Sequence, residues 1–365
     1  MRPAANVPTR ALADARRAIR VMVVDDSVTV RTAFSRMIES EPDLEVVTTA
    51  GSAEVALAKL STLSVDVILL DLEMPGIGGL GALPKLLERG NGVQVLVVSS
   101  LTADGAEHSL AALSMGAADT MAKPRLGGFD ESYRSALLAR VRALGESSEA
   151  NVPQQAHRAA PPVPAPRTHR KPVQALAIGA STGGIHALNR MLAALPRDFA
   201  PPILVTQHLP DSFMPVFARQ LEVASARKAI VAGEPTEIRS GHIYVAPGHG
   251  HLTVHRKAGR LVTGLSHEPA TSGCMPSVDP MLASLARATD GEAVAVLLSG
   301  MGRDGLEGAT DLEAAGGTIL AQDQATSSVW GMPGAVTRAG LATTVGPPEE
   351  LAEALAAMKT VPAWT

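Results

Sequence analysis

Two sets of side chains in this sequence have the types and spacing to do chemistry. The first centres on Ser181, in Gly179-Ala180-Ser181-Thr182-Gly183. This fits G-x-S-x-G, whose glycines permit a tight strand-to-helix turn that lifts a serine hydroxyl clear of a sheet. N–H groups near Thr182, with Met301 as a second contributor, are placed to hold a developing oxyanion. Glycine-rich turns also bind phosphates, so a nucleophilic serine further requires a base. Ten histidines are available. His208 directly follows the apolar run PILVTQ, which puts it at the same sheet edge as Ser181. His186 is close in sequence but points along the following helix, and is the one rival. His157 and His169 fall in a proline-rich segment. His249, His251 and His255 lie around a hairpin, where exposure is expected. Asp304 follows AVAVLLSG, again at a strand end, where it would orient the imidazole and stabilise its charged form. It also suits a helix N-cap, and the two roles are compatible. The single cysteine, Cys274, has no histidine paired with it at a strand end and reads as a reduced loop thiol.

The second set is acidic. Asp25 and Asp26 end the first apolar run, and Asp71 ends VDVILL. Carboxylates this close repel unless a cation joins them, and Mg2+ is the natural one because it takes oxygen ligands and keeps several waters. Ser99 ends a further strand, and Lys123 precedes Pro124. Acids, a hydroxyl and one ammonium on one edge suit phosphoryl transfer to a carboxylate.

Both sets need parallel strands whose carboxyl ends meet. Val21–Val24, Leu44–Thr49, Val65–Leu70, Val93–Val98 and Ala118–Met121 read as strands alternating with amphipathic stretches such as Val30–Ile38. That alternation predicts a doubly wound parallel sheet with helices on both faces. It returns later in the chain: strands at Ala175–Ile178, Pro202–Thr206, His242–Ala246, Ala293–Leu298 and Thr318–Ala321, and a hairpin of His251–Val254 with Leu261–Gly264. Helices are expected up to Leu195, through Leu221, and at Val278–Ala288, Asp304–Ala315 and Glu349–Met358. The fold class is therefore α/β twice over, the second unit carrying a β-hairpin. Residues 143–172 are rich in Pro, Ala and basic residues without apolar period, and read as an extended linker. The expected organisation is a tail over 1–19, a first domain over 20–142, the linker, and a second domain over 173–362.

Composition agrees. Of 365 residues only two are Trp, two Tyr and five Phe, so the cores must be aliphatic, as parallel sheets favour. The net charge of −4 comes with no basic face, against nucleic-acid binding. No apolar run reaches membrane-span length. The first residues lack a signal-peptide core, and one thiol fits a reducing compartment; a cytoplasmic protein is expected.

The constellation DD, LDLEMP, VSS and AKP resembles the response-regulator receiver family. The resemblance implies a flavodoxin-like domain with Asp71 as phosphoryl acceptor, Asp25, Asp26 and Asp71 around Mg2+, Ser99 and Lys123 as switch residues, and a phosphorylated histidine kinase as donor. Gly78-Gly79 stands where that family often has Asp-Gly. From Ala175 on, IGASTGG, TQHLP, APGHGHL, PSVDPML, SGMGRDG and QDQATSSVWGMP resemble the chemotaxis protein-glutamate methylesterase family. That implies hydrolysis of glutamate γ-methyl esters, and deamidation of specific glutamines, on methylated chemoreceptor-type partners. Ser181 would be nucleophile, His208 base and then acid, Asp304 the orienting carboxylate, with no cofactor for this step and no direct membrane insertion. Family members commonly carry Asn-Gly-His-Arg where this chain has Ser272-Gly273-Cys274-Met275. A receiver-controlled, non-catalytic receptor-binding module and an esterase for small diffusible esters are the competing readings. Control is expected to be steric, with the receiver resting over the hydrolase edge until Asp71 is phosphorylated.

Overall fold

The computed structural model describes residues 17–99, 103–124, 129–150 and 172–360. Residues 1–16 and 151–171, which hold most of the expected tail and linker, lie outside the described residues.

The first unit alternates without interruption: β1 Ile19–Val24, α1 Val28–Glu39, β2 Leu44–Ala50, α2 Ala53–Leu60, β3 Val67–Asp71, α3 Gly78–Arg89, β4 Gln94–Ser99, α4 Ala103–Met115, β5 Asp119–Ala122 and α5 Glu131–Ala150. The sheet order is β2-β1-β3-β4-β5, all parallel. β3 is buried along its whole length, which its uninterrupted aliphatic run requires. Ser27 and Ser52 cap α1 and α2 by accepting from Val30 N and Val55 N, satisfying N–H groups that a helix start leaves unpaired. Two expected boundaries shift. β1 begins at Ile19, so the chain is ordered before 20, with Arg17 ion-paired to Asp66. α5 continues through Ala150, past the expected linker start at 143; Leu144 on it is fully buried, so packing carries the helix beyond the composition break.

The second unit comprises β6 Ala175–Ala180, α6 Gly184–Ala194, β7 Ile203–Gln207, α7 Met214–Ser225, β8 Ala229–Val231, β9 Ile243–Val245, β10 His251–Lys257, β11 Arg260–Ser266, α8 Val278–Thr289, β12 Ala293–Leu297, α9 Leu306–Ala314, β13 Thr318–Gln322, α10 Met332–Arg338, β14 Ala342–Gly346 and α11 Pro348–Ala356. β10 and β11 form the antiparallel hairpin. The other seven strands make one sheet, β14-β13-β12-β6-β7-β9-β8. Its central strand, β6, is flanked by β7 and β12. The chain leaves β6 in one direction and later returns on the other side, so the carboxyl ends of these three strands border the switch point where such sheets bind ligands. Helices α6, α7 and α11 cover one face; α8, α9, α10 and the hairpin cover the other.

Three elements were not foreseen: β8, α10 and β14. β8 has three half-buried residues, β14 reads ATTVG with no aliphatic run, and α10 carries a proline in its first turn and a glycine. Sheet pairing and packing, not local preference, define them.

Candidate active site

Ser181 directly follows β6, His208 directly follows β7, and Asp304 lies beyond β12. Adjacent parallel strands thus deliver the three groups to one edge. His208 Nδ1 is 3.0 Å from Ser181 Oγ, and His208 Nε2 is 2.7 Å from Asp304 Oδ2. The imidazole bridges hydroxyl and carboxylate, with its two nitrogens in the opposite roles from the trypsin arrangement.

The turn holding Ser181 is fixed from several sides. Ser181 N donates to Ser299 O at 3.0 Å. The Ser181 carbonyl accepts from Gly184 N at 2.8 Å and from Gln207 Nε2 at 3.0 Å. Ser299 Oγ donates to Thr182 O at 2.7 Å. Gly183 has φ +76°, and a Cβ there would meet Ser328 Cβ at 2.5 Å, so glycine is required on both counts. Gly300 is constrained by space alone, because a Cβ would come within 2.9 Å of Ser181 Cβ. Met301 follows it and is 41 % exposed. Gln207, buried at the end of β7 beside His208, was missed by sequence reasoning; its signal was its position at the same strand end.

Asp304 does not cap its own helix, since Gly305 stands at the start of α9. Its carboxylate instead accepts at the start of α8, from Ser277 Oγ at 2.6 Å and Val278 N at 2.8 Å. Burial opposes its charge. The bond and charge of His208, with those two donors, hold the carboxyl well below the usual range, and the positive end of α8 adds to this. For His208, burial disfavours the cation. Its bond to Asp304 and the neighbouring Cys274 outweigh that and raise it to about 9.

Cys274 requires a correction. It was expected to lack a histidine partner, yet one donor atom each from His208, Cys274 and Asp304 lies within 4.8 Å of the others. The loop before Ser277 folds back over the strand ends, which strand position alone does not reveal. His251 is a second correction. It is fully buried rather than exposed, while His249 and His255 are exposed as expected. His251 Nδ1 accepts from Ser277 N at 2.9 Å and Nε2 donates to Glu268 O at 2.9 Å. Those backbone partners fix a neutral tautomer and pin the residue that holds Asp304. His186, the rival base, instead contacts Ser114 O at 3.0 Å through Nδ1. His157 and His169 lie outside the described residues.

In the first unit Asp25 and Asp71 are buried and Asp26 is exposed, and the three offer oxygens within 4.8 Å of one another. That all-oxygen donor set fits Mg2+. Lys123 Nζ lies 2.7 Å from both Asp25 Oδ2 and Asp71 Oδ2. Burial raises the Asp71 pKa despite the Lys123 ammonium, and neighbouring Asp25 adds to the rise. Lys123 is itself raised, burial being outweighed by its bonds to Asp25 and Asp71. Ser99 Oγ pairs with Ser109 Oγ at 2.5 Å.

Residues 21–127 match the response regulator receiver domain, and residues 176–355 match the CheB methylesterase domain. A protein-glutamate methylesterase/protein-glutamine glutaminase 2 of Caulobacter vibrioides is 44% identical over 91% of this chain and 96% of its own length. The chain belongs to the CheB methylesterase family. Proteins named protein-glutamate methylesterase/protein-glutamine glutaminase from Paramagnetospirillum magneticum and Azospirillum brasilense are 40% and 39% identical, covering 92% and 91% of this chain and 94% and 91% of theirs. As a member of this family of receiver-linked hydrolases, the chain combines a receiver with a methylesterase domain.

In this methylesterase-family chain the two units touch at the serine turn. Gly183 N donates to Ala118 O at 2.5 Å, and Thr182 Oγ1 donates to Asp119 Oδ2 at 2.7 Å. Behind them α4 packs on α6 and α7. Asn189 Nδ2 donates to Ser114 Oγ at 3.1 Å, and Ser114 Oγ donates to Gln220 Oε1 at 3.1 Å. The β5 edge of the receiver therefore lies on the turn beside Ser181. No helix among the described residues is long and apolar enough to cross a membrane.

Proposed function

We propose that the chain is a phosphorylation-controlled hydrolase that removes methyl esters from glutamate side chains, and deamidates particular glutamines, on methylated chemoreceptor-type proteins in the cytoplasm. The observation that carries this reading is the imidazole of His208 within hydrogen-bond reach of both Ser181 and Asp304. Residues 173–362 would form the catalytic unit and 20–142 the receiver, whose last helix extends further.

In the proposed reaction Ser181 Oγ attacks the ester carbonyl while its proton passes to His208 Nδ1. Thr182 N–H faces the oxyanion, with Met301 as second contributor. Asp304 stabilises the imidazolium. The carbonyl re-forms, the C–O bond to methoxide breaks, and His208 returns the proton so that methanol leaves. Water then attacks the glutamyl-serine ester with His208 again as base, freeing the carboxylate and Ser181. With a glutamine substrate the first leaving group is ammonia.

Control would lie in the receiver. Asp71 is the proposed acceptor of a phosphoryl group from a phosphorylated histidine kinase. Asp25, Asp26 and Asp71 would hold Mg2+, which when bound neutralises phosphoryl oxygens. Lys123 and Ser99 would meet the remaining ones. Phosphorylation shifts the resting arrangement only through its differential effect on the closed and open states. The contacts of Ala118 and Asp119 with the serine turn are what opening would release.

The test is methanol release from a panel of methylated receptors, with and without phosphodonor, for wild type and Ser181→Ala. The expected result is donor-stimulated release that Ser181→Ala abolishes. An unchanged receptor response in Ser181→Ala would favour the binding module, and turnover of small esters alone would favour a diffusible substrate.

A further inference from the structure

The ester chemistry makes no use of Cys274, although its thiol belongs to the same cluster as the base and its carboxylate. We propose that His208, Cys274 and Asp304 form a binding site for Zn2+, and that its occupancy shuts the hydrolase off.

Three observations support the site. The donors are one imidazole nitrogen, one thiol sulfur and one carboxylate oxygen, all within 4.8 Å of one another. Tetrahedral zinc, with bonds of about 2.0–2.3 Å, sets neighbouring donors roughly 3.3–3.7 Å apart; the hydrogen-bonded pair of His208 Nε2 and Asp304 Oδ2, at 2.7 Å, would part slightly to admit the ion between them. The carboxylate is also already oriented: Ser277 Oγ and Val278 N hold Asp304, and buried His251 holds Ser277 N. Such supporting bonds are characteristic of metal sites. Finally, Cys274 is only half-buried, which leaves an entry path and a fourth position for water.

The donor types decide which cation binds. A thiolate and an imidazole select Zn2+ over Mg2+, which takes oxygen ligands. The magnesium required by Asp25, Asp26 and Asp71 in the receiver therefore does not compete. Binding sends two protons to solvent, the thiol proton and the one on the ligating ring nitrogen, and leaves a thiolate and a neutral imidazole as ligands. Loss of activity follows whichever ring nitrogen is used. An ion on Nδ1 takes the lone pair that should receive the Ser181 proton. An ion on Nε2 leaves the neutral ring's proton on Nδ1, facing Ser181, with the same result.

Only the inhibitory consequence rests on the proposed ester chemistry; the site itself does not. The experiment uses the full-length protein, stripped with chelator and returned to Mg2+ buffer, with Cys274→Ser and Cys274→Ala beside wild type. Cobalt(II) is titrated as a spectroscopic substitute for zinc, and Zn2+ is titrated during methanol release. There is one cysteine, so a thiolate-to-cobalt charge-transfer band reports Cys274 alone. Wild type is expected to show that band at one equivalent and to lose methanol release as zinc is added. Each variant should lack the band and, having lost a direct ligand, need at least the roughly 10- to 100-fold more zinc that loss of an outer-shell partner costs to lose the same fraction of its own chelated rate. Absence of the band in wild type, or equal zinc sensitivity in all three proteins, overturns the proposal. If chelated wild type releases no methanol at all, the ester reading fails, while the cobalt band still decides the site.

Discussion

At the scale of single residues, the balance of effects on His208 sets a pH dependence. A base must be neutral to accept the Ser181 proton, and this imidazole is held up to about 9. In chelator, methanol release should climb about tenfold per pH unit below that value and level off above it. Cys274 is among the groups that raise His208, so Cys274→Ser should move the rising limb toward lower pH; a profile that stays in place would remove Cys274 from the electrostatics of the site. Asp304→Asn tests the other partner. Loss of the carboxylate costs on the order of 10⁴-fold in turnover at comparable triads, and a similar fall in methanol release is expected here. Ser181, His208 and Asp304 were legible in the sequence because the first two directly follow strands and the third lies in the glycine-rich turn after one, and parallel strands must gather such ends. Cys274 and His251 were not. Their environment comes from a loop and a hairpin folding onto the sheet edge, and no local pattern encodes that closure.

Elements explain why the carboxylate stays in place. α8 is capped by Ser277, whose Oγ accepts from Asp279 N at 3.3 Å and donates to Asp304 Oδ1 at 2.6 Å. One hydroxyl therefore ties a helix start to the site. Ser277→Ala should lower stability by about 0.5–2 kcal/mol, the usual worth of a cap, and also reduce turnover because Asp304 loses a donor. Chemical denaturation together with methanol release checks both; a stability loss with unchanged turnover would confine Ser277 to capping. The same scale marks where sequence patterns stop being informative. β6, β7 and β12 are buried throughout and largely aliphatic, and were read in nearly their observed places. β8 and β14 sit at the sheet edges, where alternation is weak and pairing with a neighbour makes the strand. α5 outruns its compositional boundary because buried Leu144 anchors a turn that composition alone assigns to linker.

Across the whole molecule the two sheets do not act as separate bodies in the resting state. One buried apolar cluster runs from Leu110 and Leu113 on α4 into Leu188 and Met191 on α6 and Phe217 on α7. Val329, from the second unit, joins the receiver's other cluster. Apolar burial of this kind holds the units together without direction, whereas the polar bonds of Ala118 and Asp119 fix where the receiver edge lies, on the serine turn. Asp119 also lies 3.4 Å from Arg140 Nε on α5, so its carboxylate connects the receiver's own core helix to that contact. Asp119→Ala removes the bond from Thr182 but leaves Ser181, His208 and Asp304 untouched. A hydrogen bond of this kind contributes about 0.5–1.5 kcal/mol, so the open population, and with it methanol release without phosphodonor, should rise by roughly two- to tenfold. If phosphorylation releases that contact as proposed, the donor-stimulated rate should change little. Asp71→Asn should do the opposite: keep the low resting rate and ignore phosphodonor. Measured together, the pair separates a receiver that covers the site from one that assists it. If Asp119→Ala lowers the resting rate, the β5 edge supports the serine turn instead of blocking it, and steric control is wrong.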